Sequence, residues 1–293
     1  YMYLSRLLSK KQEHIKEFKK GFLPIIIPII ITCVLIMPAN LSNALLTGAT
    51  SLMLLFIGRV NLKYIFLTIL IACIPLIIIV SVAVSKHNNI KQKNNITQIE
   101  ENNFKKIGRW NIWVTRVQDF IYTKENEPHY QVLQAKIAIA NGGLLMGLGP
   151  GNSQQRNFLP QAYNDFIFAI IIEEYGLFGG AFIIFIYIIF LFRCLKIAKK
   201  CPYAFGTLLA VALSFTLTIQ AMANMAVCVN LLPVTGITLP LISLGGSSFI
   251  FTSISIGIIL SVSRNVESIE GNTVPVETSN NELVNPLNQL TNE

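Results

Sequence analysis

Long uninterrupted apolar blocks constrain the fold of this chain more than any other feature. Charged residues make up only 13% of it, against about 25% in a typical soluble domain. Because no water satisfies backbone groups inside a bilayer, helices are the plausible spanning form. Several of the blocks approach the ~20 apolar residues that a spanning helix needs. The sequence predicts an all-α, polytopic membrane bundle with spans at residues 22–37, 41–57, 64–85, 166–192, 204–229 and 249–262.

Lysine and arginine assign a side of the membrane to each loop. One side receives the basic residues before span one, between spans two and three, after span four and after span six. The short loops 38–40 and 230–248 on the other side contain neither lysine nor arginine. By the positive-inside rule, we expect the first side to be cytoplasmic. Both ends of the chain are then cytoplasmic, and loop 86–165 is extracytoplasmic.

Composition also suggests how the chain is divided. We expect a membrane domain over residues 1–264. Residues 265–293 carry five glutamates, many asparagines and no lysine or arginine, which is typical of a disordered cytoplasmic tail. The opening residues, Tyr1 to Arg6, read as the cytoplasmic end of a helix whose beginning is missing. We therefore expect the chain to be a fragment of a longer protein.

Several function classes are disfavoured. The net charge of +8 comes mostly from the positive-inside bias, which implies no nucleic-acid partner. None of the five cysteines lies in loop 86–165, so we expect no disulfide framework. The histidines and cysteines lack the spacing of a zinc site, and we expect no metal site in the protein.

A glycine-rich, cationic segment, residues 141–168, runs directly into span four. Its last charged residue is Asp165, one of only two aspartates in the chain. An aspartate at a helix start commonly accepts hydrogen bonds from free backbone N–H groups as an N-cap. Partial desolvation could instead raise its pKa and make it a general base. The residues alone favour the cap and leave the base open.

Other polar groups near this segment have two interpretations each. Basic loop residues face anionic lipid head groups or bind an anionic ligand, and the candidates for the ligand are Arg109, Arg116, Lys136 and Arg156. Glu173 and Glu174 lie at membrane depth, where ionisable groups usually face a cavity or a partner. We expect at least one of these glutamates to be functional. The alternative is a structural pairing with an arginine of the outer loop or with a backbone group. Asn224, at depth in span five, should form hydrogen bonds between helices.

Two glycine motifs also remain open. The glycines between residues 142 and 151 could form an anion-binding nest or only a tightly turned re-entrant loop. Residues 245–248, Gly-Gly-Ser-Ser, form either a ligand-facing turn, with Gly245 and Ser247 at the substrate, or a helix start with a serine cap. Gly176 and Gly180 have the spacing of close helix packing.

These motifs resemble the SEDS family of bacterial cell-wall polymerases, which includes FtsW, RodA and SpoVE. The matching residues are the glycine segment through Gln155, then LPQAYNDFIF at 159–168, EEYGL at 173–177 and the block 230–248. The resemblance covers nearly all of residues 1–264, and the last block is closer to FtsW than to RodA. It implies a peptidoglycan glycosyltransferase that polymerises lipid II into glycan strands at the outer face of the bacterial cytoplasmic membrane. The likeness to FtsW favours a role in cell division, and the sequence leaves a role in elongation open. Asp165 matches the family's essential catalytic aspartate.

The resemblance also implies partners and some departures. Members act with a class B penicillin-binding protein transpeptidase, with lipid II and nascent lipid-linked glycan as ligands, and other divisome membrane proteins are expected. No cofactor is implied, although a divalent cation stays open. Tyr163 stands where the family usually has histidine, and Met37-Pro-Ala-Asn40 replaces Gln-Pro-Asp. The family has ten spans, against six here.

Two other function classes compete. A polytopic bundle with a cationic outer loop could be a flippase or transporter of a lipid-linked precursor, although transporters usually bind near the midplane. A non-catalytic divisome scaffold would need packing positions such as Gly176 and Gly180 but not Asp165.

Overall fold

The computed structural model describes residues 1–93, 113, 114, 116 and 130–272. Those residues contain helices, turns and no strand, which confirms the all-α class. The helices with defined limits are numbered here in chain order: α1 Met2–Lys10, α2 Leu23–Ile36, α3 Leu41–Ile57, α4 Leu62–Lys93, α5 Tyr130–Gly142, α6 Ile167–Lys200, α7 Ala204–Cys228 and α8 Gly246–Asn272.

Five stretches are long and apolar enough to cross a membrane: Phe18–Ile36, Leu62–Val82, Ile167–Lys200, Ala204–Cys228 and Gly246–Val266. The apolar helix Leu41–Ile57 is shorter. Each of the six predicted spans overlaps one of these helices. Three C-terminal limits differ most, because α4 continues past residue 85 to Lys93, α6 past residue 192 to Lys200 and α8 past residue 262 to Asn272. The remainder of the predicted tail, residues 273–293, lies outside the described residues.

Helix α7 is the centre of the bundle. It contacts α1, α3, α6 and α8, and it is the most deeply buried of the candidate spans. Its buried small residues, among them Ala210, Ala212 and Ala221, permit this close approach of neighbouring helices. Two hydrophobic clusters form at opposite ends of it. One joins α7 to α1, α2 and α3, and the other joins it to α5, α6 and the turn before α6.

The turn between α2 and α3 explains one departure from the family pattern. The Asn40 side chain accepts hydrogen bonds from the backbone N–H groups of Ser42, at 3.1 Å, and Asn43, at 3.3 Å. It is therefore the N-cap of α3, a role that suits asparagine as well as aspartate. This turn therefore has a helix cap although it carries no charge.

Helix α6 is interrupted at Gly176, whose φ is 72°. Gly176 is thus a break in the helix, and it also packs closely on the end of α5, since a Cβ there would lie 3.2 Å from the Gly142 carbonyl oxygen. The Leu177 N–H donates to the Gly143 carbonyl (3.2 Å) instead of to its own helix. The Glu173 carbonyl accepts from the Leu148 N–H (2.9 Å), and the Glu174 carbonyl accepts from the Gly149 N–H (3.0 Å). The glycine segment therefore replaces the hydrogen bonds that the break removes.

Two glycines make this docking possible by lacking a side chain. A Cβ at Gly142 would lie 2.0 Å from the Ile172 carbonyl oxygen, and one at Gly147 would lie 2.3 Å from the Glu174 carbonyl carbon. Neither distance is sterically possible, so backbone packs directly on backbone. Of the two interpretations of the glycine segment, the geometry supports the re-entrant loop, since its N–H groups at 148 and 149 are already bonded to α6.

We expect Gly142→Ala to destabilise the protein by about 1–3 kcal/mol, because the new methyl group must displace α6 backbone. The matched control is Gly257→Ala in α8, where a Cβ meets nothing within 4 Å. Thermal unfolding in detergent should show a lower midpoint for the Gly142 variant alone. Equal midpoints for the two variants would contradict the proposed packing.

Candidate active site

Asp165 lies at the end of a series of turns that leads into α6. Leu159 and Phe166 anchor these turns in the core, with side chains 4% and 1% exposed, while Asp165 is half-buried. The N-cap of α6 is Phe166, and no side-chain hydrogen bond caps this helix. The N-cap interpretation of Asp165 is therefore wrong. Its carboxyl group is free of the role that most often explains an aspartate at this position.

Helix α7 holds the backbone of this turn. The Asn224 side-chain amide donates to the Asp165 carbonyl oxygen at 2.8 Å and to the Ile237 carbonyl oxygen at 2.6 Å. One helical turn further on, the Cys228 thiol donates to the same Asp165 carbonyl oxygen at 3.4 Å. The predicted hydrogen bonding of Asn224 is present, but its partners are loop carbonyls instead of a neighbouring helix.

The segment between α7 and α8 also holds the Asp165 turn through hydrogen bonds. The Ser243 hydroxyl donates to the Asn164 carbonyl at 2.5 Å and accepts from the Leu239 N–H at 2.7 Å. The Leu244 N–H donates to the Tyr163 carbonyl at 2.9 Å. Residues 163–165 and residues 237–244 are thus joined by side-chain and backbone hydrogen bonds. The two motifs that were far apart in the sequence form one site.

Gly236 lies opposite the carboxyl group of Asp165. A Cβ at Gly236 would lie 3.7 Å from Asp165 Oδ2, and the φ of 71° at this residue favours glycine. Sequence reasoning missed this residue. Its signal was weak, because a single glycine in the block 230–248 stands out less than the Gly-Gly pair that follows.

Gly245 and Ser247, the predicted ligand-facing residues, lie where α8 begins. The Phe249 N–H donates to the Gly245 carbonyl at 2.8 Å, and Ser247 is exposed. A Cβ at Gly245 would meet Ser248 and Thr238, whose hydroxyl groups are 3.0 Å apart. This arrangement supports the helix start over the ligand-facing turn.

The charge environment of Asp165 has two opposing causes. Partial burial raises the pKa of its carboxyl group above the usual value, and the positive charge of Arg116 lowers that pKa in part. Arg116 is exposed, as is Lys136 on α5, while Arg156 is half-buried. Arg109 lies outside the described residues. Of the predicted basic residues that the structure describes, Arg116 is the one whose charge acts on Asp165.

Glu173 is completely buried, with 0% of its side chain exposed. Its carboxyl group accepts hydrogen bonds from the Ser153 hydroxyl, from Asn141 Nδ2 at 3.3 Å and from the Gln155 N–H at 3.3 Å. Three points on the glycine segment therefore converge on one side chain. The geometry favours the structural alternative for Glu173, whereas Glu174 beside it is only half-buried.

The described part of the chain contains no group of three or more His, Cys, Asp or Glu side chains that could hold a metal ion. The site described here combines the Asp165 carboxyl group, the charge of Arg116 and backbone groups that Asn224, Cys228 and Ser243 hold.

Comparison with known proteins gives a family match. The model of a family described as "Cell cycle protein", FTSW_RODA_SPOVE, matches residues 1–268. The chain is 30% identical over 266 residues to stage V sporulation protein E of Bacillus subtilis (strain 168), covering 89% of this chain and 65% of that protein. It is 30% identical over 272 residues to the probable peptidoglycan glycosyltransferase FtsW of the same organism, covering 92% of this chain and 63% of that protein. The chain thus spans slightly less than two thirds of these relatives.

Two solved structures share the fold. A chain from a study of polymerization and crosslinking by a peptidoglycan synthase complex superposes with a TM-score of 0.60 and 22% identity, covering 90% of this chain and 68% of that one. A mutant of the rod shape determining protein RodA of Thermus thermophilus superposes with a TM-score of 0.50 and 18% sequence identity, covering 89% of this chain and 64% of that one.

We expect Glu173→Ala to destabilise the protein by about 3 kcal/mol or more, because several buried donors lose their acceptor. Glu174→Ala, at the next residue, is the matched control. Limited proteolysis between residues 141 and 155 should accelerate for the first variant only. A glycine segment that stays equally resistant in both variants would show that Glu173 does not hold it.

Proposed function

This chain belongs to the FtsW/RodA/SpoVE family of cell cycle proteins, and on that premise we propose that it is a peptidoglycan glycosyltransferase. The reaction is the joining of two lipid-linked disaccharides into a growing glycan strand, with lipid II as the unit. The observation that carries the proposal is the Asp165 carboxyl group, which caps no helix and faces Gly236, a residue without a side chain.

The proposed role of Asp165 is that of a general base. It takes the proton from the acceptor's sugar 4-hydroxyl while that oxygen forms a bond to the anomeric carbon of the donor. The bond from this carbon to the lipid pyrophosphate breaks, and the pyrophosphate leaves with the electron pair. Because this leaving group is already a stable anion, no general acid is needed, unlike in glycoside hydrolysis with its paired carboxylates. Direct displacement inverts the anomeric centre.

Cations complete the proposed site by stabilising negative charge on the departing pyrophosphate. Arg116 has the best support, because its charge acts on Asp165. Arginine also suits pyrophosphate oxygens through its bidentate fork. Arg109, Lys136 and Arg156 remain candidates for the same role. A divalent cation is compatible with this chemistry, since the pyrophosphate itself supplies oxygen ligands.

The proposed location is the bacterial cytoplasmic membrane, with both ends of the chain cytoplasmic and Asp165 at the outer face. The residues near the two ends of α7 support this orientation. Phe18, Phe22 and Tyr64 form an aromatic cluster with ring centroids 5.2–5.8 Å apart, and the nearby lysines 16, 19, 20 and 63 in the sequence are exposed. Aromatic residues are typical of either membrane interface, and an excess of lysine is typical of the cytoplasmic one. The Asp165 turn belongs to the hydrophobic cluster at the other end of α7.

The proposed partners are a class B penicillin-binding protein, which would crosslink the new strand, and other membrane proteins of the division machinery. One fold relative was solved in a peptidoglycan synthase complex. The exposed face of α6 carries large apolar side chains that fit a lipid or a partner helix. They include Phe178, Phe182 and Phe185, which are 69%, 62% and 58% exposed.

A lipid-linked precursor transporter is the second candidate, and the break in α6 is the observation that favours it. Transporters often bind substrate at discontinuous helices. Here, however, the backbone groups at the break bond to the glycine segment, which leaves fewer of them for a substrate. Polymerisation of lipid II by the purified protein separates an enzyme from both a transporter and a scaffold.

Asp165→Asn should abolish glycan polymerisation, because the amide cannot accept the hydroxyl proton at neutral pH. Membrane insertion and thermal stability should persist, since the hydrogen bonds that hold the turn use backbone atoms of residue 165. Gel analysis of glycan strands made from lipid II measures the loss. Normal strand synthesis by this variant would refute the role of Asp165.

The pH dependence should reflect the raised pKa of Asp165. A base works only when deprotonated, so kcat/KM should fall as pH decreases through that pKa, at a higher pH than for an ordinary aspartate. Arg116→Ala removes the charge that lowers the pKa, so the acidic limb should move to higher pH. Lys136→Ala, at an exposed position on α5, is the control. A limb that stays in place, or moves to lower pH, in the Arg116 variant would contradict this assignment.

A further inference from the structure

Asn224 is the most deeply buried amide side chain at the site, with 1% of its surface exposed. The two hydrogen bonds that its amide nitrogen donates run to backbone carbonyls of separate segments, Asp165 on one side and Ile237 on the other. A primary amide presents two hydrogens in one plane at a fixed separation. It can therefore hold two carbonyl oxygens at a defined distance, which a hydroxyl or an apolar side chain cannot do.

We propose that Asn224 is a positioning residue that sets the distance between the Asp165 carboxyl group and Gly236. The inference rests on the proposed function for its catalytic meaning. Gly236 directly precedes Ile237, and Asn224 binds the carbonyl oxygen of Ile237. A Cβ built on Gly236 would lie 3.7 Å from Asp165 Oδ2. By fixing both backbones, the amide fixes the width of the space beside the carboxyl group. An acceptor hydroxyl must approach Asp165 within hydrogen-bond distance, so this width bears directly on proton transfer.

Ser243 provides a second restraint on the turn that contains Asp165. Ser243 binds the Asn164 carbonyl, one residue before Asp165, and so restrains the same turn from the segment between α7 and α8. Loss of Ser243 removes one bond to the Asp165 turn and one bond to Leu239 within its own segment, whereas loss of Asn224 removes the bonds to both Asp165 and Ile237. The proposal therefore predicts the same direction of change for both variants, with a smaller effect for Ser243→Ala.

Gln220 provides a matched control on the same helix. It lies one turn before Asn224, and its side-chain amide donates to the Thr238 carbonyl at 3.1 Å. Gln220 thus binds the segment between α7 and α8 at Thr238, the residue after Ile237, but it does not reach Asp165. Gln220→Ala therefore tests whether loosening this segment alone is sufficient.

The first experiment measures steady-state polymerisation of lipid II by the protein expressed from its complete reading frame. Asn224→Ala should lower kcat by about 100-fold, the cost typical of misplacing a catalytic group by about 1 Å, with KM changed little. Gln220→Ala should retain most activity, and Ser243→Ala should be intermediate. Equal losses for the Asn224 and Gln220 variants, or an Asn224 variant with unchanged kcat, would overturn the proposal.

The second experiment does not depend on activity. Selective ¹³Cγ-aspartate labelling of the same protein gives side-chain carboxyl signals, and the Asp165 signal is the one that Asp165→Asn removes. Among the described residues, Arg116 and the Cys228 thiol are the charged and titratable groups that interact with Asp165, and both remain in every variant. If Asn224 holds the turn, Asn224→Ala should admit water and lower the pKa of Asp165 toward its ordinary value, and Gln220→Ala should leave it unchanged.

The two experiments separate the two claims. A parent protein that makes no glycan, together with a shifted titration in Asn224→Ala, would refute the proposed function and retain the positioning role. A parent protein that polymerises lipid II, together with identical titration in the Asn224 and Gln220 variants, would refute the positioning role alone. If Asn224→Ala does not fold, Ser243→Ala supplies the test, and an unshifted titration there would overturn the inference.

Discussion

The structure depends on one constraint, which is that backbone polar groups inside an apolar bundle must find partners within the protein. A continuous helix meets this requirement by itself, but α6 is broken at Gly176 and two irregular segments pack against the bundle. Their carbonyl and N–H groups are satisfied by one another and by a few buried side chains. The site exists where these non-helical segments meet.

Three polar side chains, of which Glu173 and Asn224 are buried and Ser243 is half-buried, share this task in different ways. Glu173 accepts from the glycine segment, Asn224 donates to carbonyls on two segments, and Ser243 both donates and accepts. Each ties a loop to a helix or to another loop. Asp165 differs from them because its backbone carbonyl is held while its carboxyl group, the proposed base, caps no helix. The hydrogen bonding thus separates the side chains that hold the segments from the one that we propose to act as a base.

The sequence predicted the helices well because hydropathy reports burial in lipid directly, residue by residue. It also drew attention to Asp165, since an isolated acid at the end of an apolar block is conspicuous. It could not identify Gly176 as a break, because a glycine with helix-packing spacing looks the same whether the helix continues or stops. Nor could it choose between cap and base for Asp165, or name Gly236, because both depend on the contact between residues 163–165 and 236–244. Those residues are remote in the chain and are brought together only by packing around α7.

The positive φ at Gly236 also limits how this site can diverge between relatives. A side chain there would strain the backbone, and its Cβ would lie 3.7 Å from Asp165 Oδ2, so we expect glycine to be favoured at this position. Changes in the width or polarity of the adjoining space are then easier at the neighbouring residues, Thr235 and Ile237, or in the turn across from them. Substitutions at these flanking positions would alter the space beside Asp165 without altering the backbone at Gly236.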